Sequence, residues 1–404
     1  MRGGNAIFTQ FLSGMKETAQ ICPDCGVAMK NLGARGKNIV SLLGEGTISR
    51  NYYGCKCGNH SLPKDGLLDI ENTSFTPGVR RVVSQLAACD SFERSSATME
   101  DICGIYVSSK DTERIAEAAG AAIEAVKAKQ VEQVFSLGGP QQPPHPPVPT
   151  MYIEYDGTGV PVMKREVYGR KGKQEEGTAK TREVKLGCIF TQTGLNDKGE
   201  PERDSGSTTY FGAIETSEIF GRRLYMEAVN RGVATAKRIV VIGDGAKWIW
   251  ALAEEHFPGA VQIVDLYHAR EHLWELVKAL SADAVTQAEV KKEWFEILDD
   301  GNIDRLTAAL GRHIADNQDK QEEIEREINY FKENAERMKY KYFKEQKLFV
   351  GSGVIEAGCK NVIGKRLKQS GMHWSVRGAN AIIALRCAVL SGRYKIQKTL
   401  IKTA

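Results

Sequence analysis

The chain has 404 residues, with 55 Lys and Arg against 51 Asp and Glu, so its formal net charge is only +4. A hydrophobic content of 42% and a charged content of 26% are ordinary for folded domains and exclude a largely disordered chain. A chain of this length is expected to hold about two to four domains. No stretch approaches the roughly 18 unbroken apolar residues of a membrane helix.

The charge is distributed unevenly. Residues 357–404 contain ten Lys or Arg and no Asp or Glu, so they carry +10 while residues 1–356 carry −6. This asymmetry predicts a polyanionic partner. The nine Cys are clustered, and the N-terminus lacks the apolar core of a signal peptide. Together these features favour reduced thiols, a metal site and a cytoplasmic location over a disulfide framework.

The first 70 residues hold four of the nine Cys. These four form two pairs, Cys22 with Cys25 and Cys55 with Cys57. Residues 38–55 alternate apolar and polar side chains around a Gly-Glu-Gly turn, which predicts a β-hairpin. Thiolates on two tight turns at the end of a hairpin can share one tetrahedral Zn²⁺, so we predict a structural zinc ribbon over 1–70. The second pair is one residue shorter than usual, which leaves His60 as a substitute ligand and four metal-free thiols as the alternative.

Residues 79–130 show helical periodicity, and Ser95/Ser96 and Ser108/Ser109 are the expected N-caps. We therefore predict a small helical domain over 71–137. Residues 138–150 are rich in Gly and Pro. Prolines at this density hold an extended backbone and cannot lie inside a core, so we place the main domain boundary there.

The region from 151 to 404 alternates strand and helix patterns, which predicts an α/β sheet with at least some parallel strands. Strands are expected at the segments MYIEYDGTGVPV, VKLGCIFTQT, STTYFGAIE, RIVVIGDG and AVQIVD, with helices after the last three. From about 270 to 340 the pattern is helical throughout. Residues 281–338 hold 15 acidic and 8 basic residues, a net charge of −7, so we predict an acidic all-helical insertion.

Three carboxylates stand out because glycines surround them. Asp156 is predicted to end a strand before Gly-Thr-Gly, Asp244 lies between two glycines after a strand, and Glu356 begins a helix after Gly-Ser-Gly. Glycines leave room for a ligand, and α/β sheets place their sites at strand ends. Three such carboxylates can hold two Mg²⁺ or Mn²⁺ ions. Each Asp by itself is more often a turn residue.

Histidine and tryptophan patterns near this site have two interpretations. Asp265 follows a predicted strand, and His268 with His272 forms an i, i+4 pair that does not match the zinc-protease motif. A hydrogen-bonded pair near the sheet is the simpler interpretation. Trp248 and Trp250 are expected in the core, whereas Trp274 is either a core residue or a platform that stacks on a flipped base.

The basic C-terminal segment has no interleaved acid, which favours a surface for phosphate groups over an ordinary solvated face. Its clustered side chains are Lys360, Lys365, Arg366, Lys368, His373 and Arg377, with Trp374 among them.

Several of these segments resemble one known family. The blocks YIEYDGTGVPV, GDGAKWIW, IVDLYHAREHLWEL and FVGSGVIEAGCKNVIGKRLKQSGMHWS resemble transposases of bacterial insertion sequences of the ISKra type, relatives of the Mutator-like DDE transposases. The resemblance extends from the cysteine pairs to about Arg393, and the blocks occur in the same order.

The resemblance implies an α/β fold with an RNase H-like catalytic core over 151–404, interrupted by the helical insertion and preceded by the zinc ribbon and a helical DNA-binding domain. It implies Mg²⁺-dependent DNA cleavage and strand transfer by Asp156, Asp244 and Glu356, with Asp265 and His268 supporting the site or contacting DNA. The expected DNA-binding residues are Lys360, Lys365, Arg366, Lys368, Arg377 and Trp274. The cationic segment is expected to form one wall of the active-site groove.

The implied partners are double-stranded DNA of the element ends and the target, bound by a homodimer or larger oligomer at the bacterial nucleoid and not at a membrane. The ribbon and the helices of 79–130 are expected to recognise terminal inverted repeats. Two alternatives remain open. One is an RNase H-like nuclease without strand transfer, and the other is an inactive transposase-derived DNA-binding regulator.

Overall fold

The computed structural model of the chain describes residues 9–15, 20–136, 146–171, 179–280, 283–314 and 317–394. The chain divides into two compact units, Met1–Gly120 and Ala121–Ala404. Most of the linker predicted at 138–150 lies outside the described residues, as do the last three cations of the basic segment. Within the part that is described, no helix is both long and apolar enough to cross a membrane.

The first unit begins with a small antiparallel sheet and continues with helices. Its elements are α1 (9–14), β1 (Lys30–Ser41), β2 (Gly44–Gly54), β3 (His60–Ser61), α2 (Pro63–Leu68), α3 (Pro77–Cys89), α4 (Phe92–Cys103) and the first part of α5 (Ser109–Phe135). The predicted hairpin is confirmed, because β1 pairs with β2 along most of its length. The turn is at 42–43, since Ser41 pairs with Gly44, so the Gly-Glu-Gly segment begins β2 and is not the turn.

The helices of this unit pack around their own apolar cluster. Its buried members are Val79, Val83, Met99, Ile105, Val107 and Ile115. The Ser108 hydroxyl accepts the N–H of Asp111 at 3.1 Å, which confirms that N-cap. The cap predicted at Ser95/Ser96 is wrong: those residues lie inside α4, and Ser91 caps the helix by accepting the N–H of Arg94 at 3.2 Å.

The second unit is built on a five-stranded mixed sheet. The strands of this unit are β4 (Thr150–Pro161), β5 (Thr181–Gln192), β6 (Gly194–Leu195), β7 (Pro201–Glu202), β8 (Thr209–Ala213), β9 (Arg238–Gly243) and β10 (Val261–Val264). The sheet has the order β10-β9-β4-β5-β8, while β6 and β7 form a separate pair. β4, β5 and β8 are antiparallel neighbours, whereas β4, β9 and β10 run parallel. Parallel strands need helical crossovers, which explains the strand-helix alternation of the sequence.

Helices complete the second unit. They are α6 (Ser217–Asn230), α7 (Lys247–His256), α8 (Leu266–Leu280), α9 (Ala284–Asp299), α10 (Ile303–Arg312), α11 (Gln321–Glu333), α12 (Tyr340–Glu345), α13 (Gly353–Gly358), α14 (Lys365–Leu367) and α15 (Val376–Leu390). A π-helical segment, Cys359–Gly364, joins α13 to α14. The described residues from 270 to 340 contain helices and no strand, as predicted, and bury Trp294, Leu306, Leu310, Ile324 and Phe331.

Candidate active site and zinc centre

The first candidate site is a cluster of four cysteine sulfur atoms beside the β1–β2 hairpin. The sulfur atoms of Cys22, Cys25, Cys55 and Cys57 all lie within 4.8 Å of one another. The closest pairs are 3.4 Å (Cys25 to Cys55) and 3.5 Å (Cys22 to Cys57). Zn–S bonds of about 2.3 Å at tetrahedral angles separate the sulfur atoms by about 3.8 Å. The cluster therefore has the dimensions needed to hold one zinc ion.

Two tight turns supply these sulfur atoms. The Cys22 carbonyl accepts the N–H of Gly26 at 2.9 Å, and the Cys55 carbonyl accepts the N–H of Gly58 at 3.0 Å. Both glycines have positive φ, +68° and +93°, a conformation that side chains disfavour. The second turn is one residue tighter than the first. The short Cys55-x-Cys57 pair is therefore accommodated, because both of its sulfur atoms still reach the cluster.

The electrostatics of the cluster favour a bound cation. The backbone N–H of Cys25 lowers the pKa of Cys22 to about 7. The backbone N–H of Asn59 favours the thiolate of Cys57, but the neighbouring cysteine sulfurs raise its pKa to about 12. Four thiolates cannot coexist here without a positive charge, and a divalent ion would supply it while fastening the two turns together.

His60, the substitute ligand considered from the sequence, is not part of the cluster. Its ring stacks on Tyr52 with centroids 5.1 Å apart, and the Arg35 guanidinium lies 3.7 Å from the Tyr52 centroid. The hairpin and β3 thus present the exposed Arg35 and His60 on either side of the half-buried Tyr52 ring.

The second candidate site lies at one edge of the five-stranded sheet. The pairs that define the parallel register are Glu154 with Ile242 and Gly243 with Val264. Continued beyond the paired residues, this register places Asp156, Asp244 and Asp265 side by side on three adjacent strands. Neighbouring strands are about 4.8 Å apart, so the three carboxylates share one small region.

Asp156 differs from the expectation in one respect. It does not end β4, which continues to Pro161 in pairing with β5. The pairing between β4 and β9 stops at Glu154, two residues before Asp156, so Asp156 is not paired with β9. Burial raises the pKa of Asp156, and the negative charge of Asp244 raises it further. Asp244 itself accepts the N–H of Ala246 at 2.9 Å.

Glu356 reaches the same region from α13. Burial raises its pKa, followed by the negative charges of Asp265, Glu271 and Asp156. The Asp156, Asp244 and Glu356 carboxylates are not all within 4.8 Å of one another; among the described residues only the cysteine cluster meets that separation. A pair of cations about 3.5–4 Å apart needs a wider set of ligands than a single ion does. Carboxylate oxygens are the donors that Mg²⁺ and Mn²⁺ prefer in proteins.

Carboxyl groups from the sheet hold the start of α13. The N–H of Ser352 donates to Asp265 at 2.5 Å, and its hydroxyl donates to the same carboxylate oxygen. The N–H of Ile355 donates to Glu154 at 2.9 Å. The first N–H groups of a helix have no partner within the helix, so these acceptors dock α13 on the sheet. Asp265 is fully buried, and its other oxygen accepts the N–H of His268 at 2.8 Å.

Glu154 was missed in the sequence-based search for site residues. It is fully buried, and its second carboxyl oxygen has no hydrogen-bond partner. Burial raises the pKa of Glu154 to about 8. The available signal was its position in β4, two residues before Asp156 and therefore on the same face of the sheet, within an otherwise apolar run.

The π-helical segment that follows α13 is held from α15. The buried Arg386 side chain donates to the carbonyls of Val362, at 2.6 Å, and Asn361. Within the same segment, the Cys359 thiol lies 3.6 Å from Asp156. Short π segments are uncommon and occur frequently at functional sites.

The helical insertion contacts the Asp244 turn. The Tyr330 hydroxyl donates to the Asp244 carbonyl at 3.1 Å. Gly245 has φ +98°, and a Cβ there would lie 2.8 Å from the Tyr330 ring. The His272 ring stacks on Tyr330 at 4.2 Å and lies 2.7 Å from a Glu327 oxygen. His272 is therefore a packed, hydrogen-bonded residue. His268 is half-buried, and its charge lowers the pKa of Asp156, although burial dominates there.

Most of the predicted DNA-binding cations are exposed, and they are Lys360, Lys365, Lys368 and Arg377. The Lys368 ammonium donates to the Thr158 hydroxyl at 2.6 Å, next to Asp156 in β4. Arg366 corrects the expectation: its side chain is fully buried, with the guanidinium 5.2 Å from the Trp374 centroid, so it is not offered to solvent. Trp274 is half-buried, with the Lys291 ammonium 4.6 Å from its ring.

The five-stranded mixed sheet and the four-cysteine cluster define a mixed α/β protein with a group of thiols that could hold a metal ion. Residues 30–402 match the uncharacterised protein family UPF0236, and the chain belongs to this family. A comparison with curated proteins finds no match. Among solved structures, the Drosophila P element transposase strand transfer complex is similar at 8% identity over 79% of this chain and 80% of that chain. Its TM-score of 0.26 is too low to define the fold.

Proposed function

We propose that the chain is a DNA transposase of the DDE type and belongs to a bacterial insertion sequence of the ISKra type. The proposal is supported by the strand register, which brings Asp156 and Asp244 to one end of the sheet, and by the contact of Ser352 with Asp265, which holds the start of α13 and so Glu356 at the same end. The charge of Asp244 raises the pKa of Asp156, and that of Asp156 raises the pKa of Glu356. The chain belongs to UPF0236, a family that is common among transposase-like proteins, and this supports the proposal.

The strand order supports an RNase H-like catalytic core. In the second unit the antiparallel strands β4, β5 and β8 come first, and two parallel strands follow, β9 beside β4 and β10 beside β9. The helical insertion between β10 and α13 separates the second proposed catalytic carboxylate from the third. Carboxylates at the ends of parallel strands lie where open α/β sheets bind ligands.

Asp156, Asp244 and Glu356 would hold the metal ions. When bound, Mg²⁺ would lower the pKa of an attacking water or hydroxyl and stabilise the leaving oxygen of a phosphodiester. The chain's own groups orient the site: Tyr330 holds the Asp244 turn, and the carboxyl groups under α13 present Glu356.

Exposed cations of the basic segment would hold the DNA backbone beside Glu356, and Lys368 already lies against β4. The cysteine cluster with its hairpin, followed by α3 to α5, would recognise the element ends. Joining two ends requires at least two copies of the protein on DNA, at the bacterial nucleoid.

The test is incubation of the purified chain with candidate element ends and Mg²⁺, followed by mapping of the nicks. Changing Asp156, Asp244 or Glu356 to Ala should abolish strand cleavage and leave binding of the ends intact. Glu289→Gln is the matched control, because it removes an exposed carboxylate of the insertion. Full cleavage by the Asp244→Ala variant would refute the assignment.

Two alternatives are separated by the same assay. An RNase H-like nuclease would hydrolyse DNA but would not join cleaved ends to a supercoiled plasmid. An inactive DNA-binding regulator would bind the ends without Mg²⁺-dependent nicks. The approach of the three carboxylates favours an active enzyme over the regulator.

A further inference from the structure

The carboxyl group of Glu154 is in an unusual environment for an acidic side chain. It is fully buried in β4, one oxygen accepts the N–H of Ile355 at 2.9 Å, and the other has no partner. The Cys188 sulfur lies 3.9 Å from the oxygen that Ile355 contacts. Burying a carboxyl group with so few partners is costly, so its retention calls for a local benefit.

The position of the accepted N–H indicates that benefit. Ile355 immediately precedes Glu356, and both lie in α13, which begins a helical run that continues through the π-helical segment into α14. The first N–H groups of such a run have no partner within it, so the orientation of this first turn depends on tertiary contacts. Asp265 holds Ser352 at the start of the segment, and Glu154 holds the turn that carries Glu356.

We propose that Glu154 is a positioning residue that aims Glu356 at the metal site by accepting the backbone N–H of Ile355. The proposal rests on the proposed function for the identity of the metal site, but the docking of α13 does not depend on DNA. Glu154 would not touch metal or DNA, since its side chain is fully buried. Groups that orient a metal ligand in this way typically change metal affinity by about 10- to 100-fold when removed.

Three variants separate the hydrogen-bond acceptor from the carboxyl group itself. Glu154→Gln keeps an acceptor oxygen at the same distance. Glu154→Met keeps the size of the side chain and removes the acceptor, and Glu154→Asp withdraws the acceptor by one methylene. Cys188→Ala is the control, because it removes the neighbour of Glu154 on β5 and leaves the acceptor for the Ile355 N–H in place.

The first measurement is the affinity for Mn²⁺ in the absence of DNA, which is obtained from the electron paramagnetic resonance signal of the free ion. We expect Glu154→Met and Glu154→Asp to weaken Mn²⁺ binding about 10-fold or more, with Glu154→Gln and Cys188→Ala within about threefold of the unchanged chain. The second measurement is hydrogen exchange of the Ile355 amide without metal, which should accelerate in the Met and Asp variants only. A purely structural role would lower the melting temperature without this pattern of rescue by Gln.

Two results would overturn the proposal. One is unchanged Mn²⁺ binding and unchanged Ile355 exchange in Glu154→Met. The other is an equal loss in the Gln and Met variants, which would show that the carboxyl group matters as a ligand. If the unchanged chain binds Mn²⁺ but cuts no DNA, the proposed function fails and the role of Glu154 stands. If it binds no Mn²⁺, accelerated Ile355 exchange in the Met variant alone, rescued by Gln, still supports the docking role.

Discussion

The buried Glu154 predicts how the stability of the chain depends on pH. Its pKa is about 8 in the folded chain against an ordinary value of 4.5, because burial disfavours the charged form. Between these values the folded chain keeps a proton that the unfolded chain releases. The contribution of Glu154 to the free energy of unfolding should therefore be largest below about pH 4.5, decrease as the pH rises through this window, and level off above about pH 8.

The size of the effect follows from the width of the window. One pKa unit corresponds to about 1.36 kcal/mol, so a window of about 3.5 units amounts to about 5 kcal/mol, most of which is lost by pH 7. Glu154→Gln removes the titration and keeps the acceptor for Ile355. The difference in unfolding free energy should therefore change by about 1.4 kcal/mol per pH unit in favour of the variant between about pH 5 and 8.

Urea titrations followed by tryptophan fluorescence, at a series of fixed pH values, measure this difference. The charges of Asp265 and Glu356 raise the pKa of Glu154 in the same direction as burial does. The other groups that interact with it are Cys188, Tyr152 and Tyr210. If the difference in unfolding free energy between the two proteins stayed constant between about pH 5 and 8, the raised pKa of Glu154 would be refuted.

Further predictions concern the two metal sites and the cationic surface. Cys25→Ser should reduce zinc, measured by atomic emission, from about one ion per chain to none and unfold the ribbon by circular dichroism; full zinc would contradict the cluster. Tyr330→Phe should cost about 1 kcal/mol in urea titration and weaken Mn²⁺ binding, because the Asp244 carbonyl loses a donor; unchanged Mn²⁺ binding would contradict this role. Asp156→Asn should raise the melting temperature while abolishing nicking, since it relieves repulsion from Asp244; retained nicking would refute its role. Lys368→Ala should weaken DNA binding by filter assay and reduce the salt slope by about 0.9; an unchanged slope would exclude a phosphate contact.

Local patterns predicted the elements well where one periodicity dominated. The hairpin, the alternation of strands and helices, and the all-helical insertion follow from apolar periodicity and turn residues, which are local properties. The four-cysteine cluster was predictable from the spacing of the cysteines, because two tight turns at the end of one hairpin bring their thiols close together.

Features that depend on tertiary contacts were not predictable in this way. Arg366 lies in a basic run, yet its side chain is fully buried and lies beside the Trp374 ring. Ser95 has the sequence pattern of an N-cap, but the helix begins earlier, directly after its N-cap Ser91. Glu154 appeared as one polar residue in a strand, and only the position of α13 shows what its carboxyl group contacts. The register between β4 and β9 is likewise a long-range property.

The register between β4 and β9 limits where residues can be inserted into the chain or deleted from it. Side chains alternate faces along a strand, so inserting or deleting a single residue in β9 before Asp244 would turn this carboxylate towards the opposite face of the sheet. The same change in a loop of the helical insertion would leave the carboxylates in place. We therefore expect natural variants of this chain to differ in length within 281–338, and to keep constant the number of residues from Arg238 to Asp244.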